Sequence, residues 1–245
     1  MSGHSKWSTI KHKKALTDAA RSKVYTKLAN MITVAVKEKG ADMDVNFSLR
    51  LAVQKARDAN MPQANIERAI VRGSGGADGV SLQEITYEAF GPQGAAFLIF
   101  VICDNKNRTS QVVRSTLEKN GGRLGGSGSV VWQFEQKGLI RIEKPEQSLE
   151  DLELALIDAG ADDIVEQDDE ILIYTSLKNL EQTKLNLQNL NINIISASPT
   201  FEPKNFVKIT DEGVGKKLIQ LAEKLEDLDD VTDVATNFEI AEGVI

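Results

Sequence analysis

The apolar residues change their spacing once along this chain, at a glycine-rich break, and that change limits what it can fold into. Ahead of Ser74-Gly75-Gly76-Ala77-Asp78-Gly79 they recur every three to four residues, and beyond it the pattern becomes mixed. The first spacing puts apolar groups on one face of a helix, whereas alternating or continuous apolar runs make strands. Val24, Leu28, Met31, Ile32 and Ala35 stand at i, i+4, i+7, i+8 and i+11 and predict an amphipathic helix over 17–39. Asp18 suits its positive end, Lys37 and Lys39 its negative end, and Gly40 its C-terminal cap. A second helix over 46–60 opens on Asn46, a good cap, and carries Leu49, Ala52, Val53 and Ala56 on one face. A third starts at Pro62, turns Ile66 and Ile70 inward and stops at Gly73. Three such helices make a small bundle, residues 1–76.

Beyond the break, strands are predicted at 83–90, 95–103 and 130–134, with a helix at 107–120. From 138 the order is strand 139–143, helix 149–158, strands 164–167 and 170–175, helix 177–189 and strand 192–197, which is the βαββαβ unit of ferredoxin-like folds. The tail offers one helix, 211–228, and one strand, 231–238, too little for a domain of its own. It is expected to return and complete the sheet begun at 83. The predicted fold class is therefore α+β: an N-terminal three-helix bundle followed by two α+β (ferredoxin-like) domains, one inserted in the other. The domains are 1–76, a discontinuous 77–137 plus 201–245, and an acidic 138–200.

A net charge of −7 argues on its face against a nucleic-acid partner, but the average conceals a partition. Residues 1–76 hold fourteen Lys/Arg against six Asp/Glu, and 77–137 hold six of each; 138–200 hold four against thirteen and 201–245 five against eleven. A basic module is joined to an acidic body, which confines any electrostatic footprint to one end. The arm 5–14 packs Lys6, Lys11, Lys13 and Lys14 around Trp7 and His12, a composition suited to phosphate contacts with one stacking platform. Trp7 either stacks on a base or anchors the arm to the bundle. Lys23 and Lys27 fall on the side of the first helix away from its apolar stripe. Arg50, Gln54 and Arg57 line up at i, i+4 and i+7 in the second.

Other chemistries find few residues. One cysteine, Cys103, makes no internal disulfide, and two histidines, His4 and His12, are too few for a zinc site or a catalytic triad in the body of the protein. The longest apolar run, 95–103, is far short of the roughly 18 residues of a membrane span. The N-terminus lacks the apolar stretch of a signal peptide, so a cytoplasmic location is expected. Gly121-Gly122-Arg123-Leu124-Gly125-Gly126-Ser127-Gly128-Ser129 lacks the lysine of a phosphate loop and precedes a strand where such a loop precedes a helix, so it is expected to be a structural turn. The acidic clusters at 162–163, 168–170 and 227–230 match no calcium loop and are expected to be solvated surface. No catalytic residue, metal, cofactor, membrane or small-molecule substrate is implied, and the chain is expected not to be an enzyme.

More specific than composition is the order of short segments: Gly3-His4-Ser5-Lys6-Trp7, Ile10-Lys11-His12-Lys13-Lys14, Asn60-Met61-Pro62 with Asn65-Ile66-Glu67-Arg68-Ala69-Ile70, Tyr87-Glu88 before Gly91-Pro92, Asn107-Arg108-Thr109, and Gly128-Ser129-Val130. Together they resemble the YebC/PmpR family, over nearly the whole chain. The resemblance implies three domains, and a role either as a DNA-binding transcriptional regulator or, as for a mitochondrial relative, as a translational activator at the ribosome. It carries attention to Lys6, Lys11, Lys13, Lys14, Arg21, Lys23 and Lys27 and supplies no catalytic residue. The expected nucleic-acid-binding set is thus Lys6, Trp7, Lys11, His12, Lys13, Lys14, Arg21, Lys23, Lys27, Arg50 and Arg57. The partner is DNA in transcription regulation or, alternatively, ribosomal RNA in translation regulation, with no evident major-groove recognition helix and so a lean toward shape-directed RNA binding.

Overall fold

A computed structural model describes residues 18–75, 81–144, 149–167, 170–241 and 243–244, the backbone alone at 18–20 and 149–151. Two compact units divide it, one formed by residues up to 134 with those from 203 onward, the other by 135–202.

The first unit begins with helices α1 (Asp18–Lys39), α2 (Phe47–Asp58) and α3 (Gln63–Gly73). Their apolar stripes meet in one core around Leu28, Ile32, Leu49, Val53 and Ile66. Asn46 sets the first corner: its Oδ1 accepts from Leu49 N at 3.0 Å, while its Nδ2 donates to Ala35 O and Gly40 O at 2.8 and 2.7 Å. One buried amide thereby caps α2 and satisfies carbonyls at the end of α1. Gly40 takes the left-handed conformation, φ 84°, that ends α1. Pro62 stands just outside α3 as its N-terminal cap, not within it.

Strands β1 (Gln83–Phe90) and β2 (Ala96–Cys103) then form an antiparallel pair. Helix α4 (Lys106–Lys119) and the short β3 (Arg123–Leu124) follow. After the second unit the chain returns as β8 (Val207–Ile209), α7 (Glu212–Glu226), β9 (Val231–Thr236) and β10 (Phe238–Ile240). The tail strand β9 pairs with β2 and completes a sheet of order β3-β1-β2-β9. Phe97, Ile99 and Val101 of β2 face a core shared with Val113 and Leu117 of α4 and Leu218, Leu221 and Leu225 of α7. Each such side chain contributes about 1.5–3 kcal/mol by leaving water. On the bundle side α1 runs against β2 and β9.

The second unit orders its elements β4 (Phe134–Glu143), α5 (Leu149–Asp158), β5 (Asp163–Glu166), β6 (Glu170–Ser176), α6 (Leu180–Asn189) and β7 (Ile194–Pro203). Strand order β5-β6-β4-β7, with β4 and β5 both antiparallel to β6, is ferredoxin-like. Arg141 grips Glu170 across β4 and β6 through two hydrogen bonds of 2.8 and 2.7 Å.

The structure departs from sequence expectation in the linking segments. Val131–Gln133 is a 3-10 turn, not a strand, and β4 runs unbroken from Phe134 to Glu143. The single tail strand is split at Asn237, whose side chain accepts from Ala96 N at 2.7 Å and donates to Gln133 Oε1 at 2.9 Å. Beyond that split β10 pairs in parallel with β8, an element with no sequence signal.

Candidate nucleic-acid interface

In α3, Ile66 and Ala69 face α1, which leaves Asn65, Arg68 and Arg72 along the adjoining edge. In α1 the opposing edge carries Ser22, Tyr25 and Thr26. Between the two edges lies a groove of about 440 Å³ with Ala29, Met61 and Ala69 among its lining residues. Among the described residues its lining holds two guanidinium groups, three hydroxyls and one amide, and no carboxylate.

Most of these polar groups are held in place. Arg72 donates from Nε to Thr33 Oγ1 at 3.0 Å and from Nη2 to Asn30 Oδ1 at 2.9 Å, which fixes its plane against α1. Arg68 donates from Nε to Ala64 O at 3.2 Å and from Nη2 to Asn65 Oδ1. Tyr25 donates its hydroxyl to Asn60 O at 2.8 Å, and Asn60 is one of few non-glycine residues with positive φ, 57°. The Asn60-Met61-Pro62 segment thus closes one end of the groove. A guanidinium whose fork is already oriented loses less freedom on meeting a phosphate than a lysine ammonium does.

Of the residues expected from sequence, Lys6, Trp7, Lys11, His12, Lys13 and Lys14 lie outside the described residues. Arg21 and Arg57 are exposed on α1 and α2. Arg50 lies over the Phe47 ring at 5.6 Å and donates to Met43 O and Asp44 O, holding the turn before α2. Lys23 and Lys27 reach the end of α7: Lys23 lies 3.3 Å from Asp229 Oδ1, and Lys27 donates to Glu226 O. The last carbonyls of a helix carry partial negative charge, so two ammonium groups are favourable there. Burial pushes the Lys27 ammonium below its ordinary value, and the carboxylates of Glu226, Asp227 and Asp229 act in the opposite direction. The acidic run 227–230 is therefore an internal docking surface as well as a solvated one; Asp230 also accepts from Thr109 Oγ1.

The glycine-rich loop is a turn built around a carboxylate of the protein itself. Glu88, on β1 and only 8% exposed, accepts from Gly128 N at 2.5 Å, Val130 N at 2.6 Å and Val131 N at 2.9 Å. Burial raises its carboxyl, but the backbone N–H groups of Val130, Gly128, Val131 and Ser129 outweigh that and hold it below the usual carboxylate range. The loop's donors are turned onto Glu88. Among the described residues no group of three or more His, Cys, Asp or Glu is placed to hold a metal ion.

Arg68 and Arg72 escaped the sequence reading, although their i, i+4 spacing was visible, because only the packing of α3 on α1 shows which edge they share. Glu88 escaped because nothing local links it to a loop forty residues away.

A basic helical bundle seated on an α+β scaffold is the class of protein that these features define. The chain belongs to the TACO1/YebC family: the family's N-terminal domain matches residues 5–76 and its second and third domains match residues 82–238. A protein of Halothermothrix orenii named a probable transcriptional regulatory protein is 44% identical over all of this chain and 98% of its own length. One of the same name from Thermotoga maritima is 46% identical over 98% of this chain and 94% of its own length. The crystal structure of a conserved hypothetical protein from Aquifex aeolicus, 42% identical, matches 98% of this chain and 99% of its own with a TM-score of 0.89.

Proposed function

We propose that this protein is a nucleic-acid-binding regulator whose basic bundle engages the phosphate backbone, most simply a DNA-binding transcriptional regulator that acts without catalysis in the cytoplasm. The observation that carries the reading is the concentration of Lys/Arg in the bundle, whose groove between α1 and α3 is lined by two arginines and, among the described residues, no carboxylate. That groove belongs to the only one of the four charge segments with a clear excess of Lys/Arg. The names of the relatives from Halothermothrix orenii and Thermotoga maritima support the regulatory role.

One observation favours a second reading, a ribosome-associated translation factor that binds ribosomal RNA. Arg68 and Arg72 line a concave groove, whereas a major-groove reader presents a convex helix to base edges. Comparing ribosome co-sedimentation with genome-wide DNA crosslinking separates the two.

The shared premise is tested by titrating the full chain with duplex DNA and with structured RNA across a salt series. Affinity falls with a log-log slope of about −0.9 per phosphate neutralised on duplex DNA. Changing Lys6, Lys11, Lys13 and Lys14 to alanine reduces the magnitude of that slope by about 1 for each phosphate that is no longer neutralised. Salt-independent binding would refute the premise.

A further inference from the structure

We propose that the groove between α1 and α3 seats one unpaired nucleotide of a nucleic-acid strand, with its phosphodiester held by Arg68 and Arg72; this rests on the nucleic-acid reading above and assigns its site. Volume comes first. A groove of about 440 Å³ is within the range of roughly 300–1,000 Å³ that holds a small ligand, and its volume is too small to enclose a double helix. A duplex contacts a protein along a surface, whereas an unstacked nucleotide can enter a concavity.

The chemistry of the lining points the same way. Arg72 already commits Nε and one Nη2 hydrogen to Thr33 and Asn30, and Arg68 commits the same atoms to Ala64 and Asn65. In both, Nη1 has no hydrogen-bond partner among the described residues, so two fixed guanidinium groups each retain donors for an anion. They lie about one helical turn apart on α3, Arg68 held along α3 by Ala64 and Asn65 and Arg72 held against α1 by Thr33 and Asn30. The hydroxyls of Ser22 and Thr26 stand on the opposite lip, Thr26 donating to Ser22 O at 3.0 Å and left able to accept from a sugar hydroxyl, and the half-buried Tyr25 ring offers aromatic surface to a base. Among the described residues no carboxylate lines the groove to repel a phosphate.

The test uses the full chain and three probes of matched length: an RNA hairpin with an unpaired loop, a single-stranded DNA of the loop sequence, and a fully paired duplex. Arg68→Ala removes one fork from an exposed position, and Arg68→Lys restores the charge without the fork. Thr26→Trp fills the groove from an exposed site on α1 and removes no charge. Arg68→Ala and Thr26→Trp each weaken binding to the hairpin and the single strand by about tenfold, the scale of a missing charge-assisted hydrogen bond. Duplex binding changes less than about twofold, and Arg68→Lys recovers only part of the loss. Helix content and melting temperature, measured on the same samples, stay at wild-type values. A loss confined to the RNA hairpin or shared with single-stranded DNA distinguishes the source of the nucleotide and supports the site either way. Equal losses on all three probes would reduce the groove to a general positive charge and overturn the proposal. Unchanged binding in Arg68→Ala and Thr26→Trp would overturn it while leaving the nucleic-acid reading intact. A wild-type chain that binds none of the probes would refute both.

Discussion

Replacing Glu88 by glutamine isolates the charge on which the glycine-rich loop is folded. The carboxylate takes three backbone N–H groups on its two oxygens, Gly128 on Oε1 and Val130 and Val131 on Oε2. Glutamine keeps the volume, but one oxygen becomes an NH2 group that meets these donors head-on, so at least one buried N–H loses its acceptor. Hydrogen bonds to a charged group contribute about 1.5–3 kcal/mol, those to a neutral one about 0.5–1.5, so the combined loss comes to about 3 kcal/mol. In a unit of this size that lowers the melting temperature by about 6–12 °C. Trp132 donates its indole N–H to Ser129 O at 3.1 Å, so its fluorescence, in a Trp7→Phe background, reports the loop directly. The pH dependence has a fixed sign. The folded-state pKa of Glu88 is depressed, so its contribution is fully present above the ordinary carboxylate value and is lost as the pH falls below that value through the lower folded one. The gap between wild type and Glu88→Gln therefore narrows in acid and is constant at neutral pH. A melting temperature within about 2 °C of wild type at neutral pH, or a gap that ignores acid, would refute the argument.

Asn46→Ala removes one acceptor and two donors at a fully buried corner and destabilises the bundle by about 2–4 kcal/mol in urea denaturation followed by circular dichroism. Gly73→Ala places a methyl 2.7 Å from Thr33 O and 2.6 Å from Val36 Cβ, which forces α3 away from α1 and costs about 1–3 kcal/mol in the same assay. Lys23→Ala, by contrast, breaks an ion pair whose side chains are 58% and 80% exposed, and shifts stability by no more than about 0.5 kcal/mol, an amount that vanishes in high salt.

Local signals in the sequence carry the helices of the bundle well, since Gly40 ends α1 and Asn46 caps α2 through atoms no more than eleven residues away. They fail where a partner is remote. The apolar run at 130–134 has the composition of a strand, yet the N–H groups of Val130 and Val131 go to Glu88 on β1, and the backbone turns instead of pairing. The pairing of β8 with β10 joins three residues to three across 31 positions, below any periodic signal. The same limit governs the candidate site. Lysine and arginine content marks the bundle as basic, but Lys23 and Lys27 meet their carbonyl and carboxylate partners some two hundred residues on. The juxtaposition of Arg68 with Ser22 and Thr26 exists only once α3 has packed on α1.

That remote pairing alters how the positive charge of the bundle is to be understood. A uniform basic surface would bind phosphates wherever they fell. Here the end of α7 engages Lys23 and Lys27, and the turn before α2 engages Arg50, so part of the charge holds the bundle onto the sheet domain and shapes its corners. Arg68 and Arg72 are bonded, among the described residues, to neutral groups alone, which leaves their charge facing the groove. Two different functions then fall to two kinds of cation. Lysine ammonium groups, which the composition of the arm supplies, give attraction that salt screens and sequence does not modulate, whereas guanidinium forks fixed on a helix impose position on whatever they bind. Attraction without position gives a protein that slides along any polyanion, and position without attraction gives slow encounter; the bundle has the composition for the first and the geometry for the second.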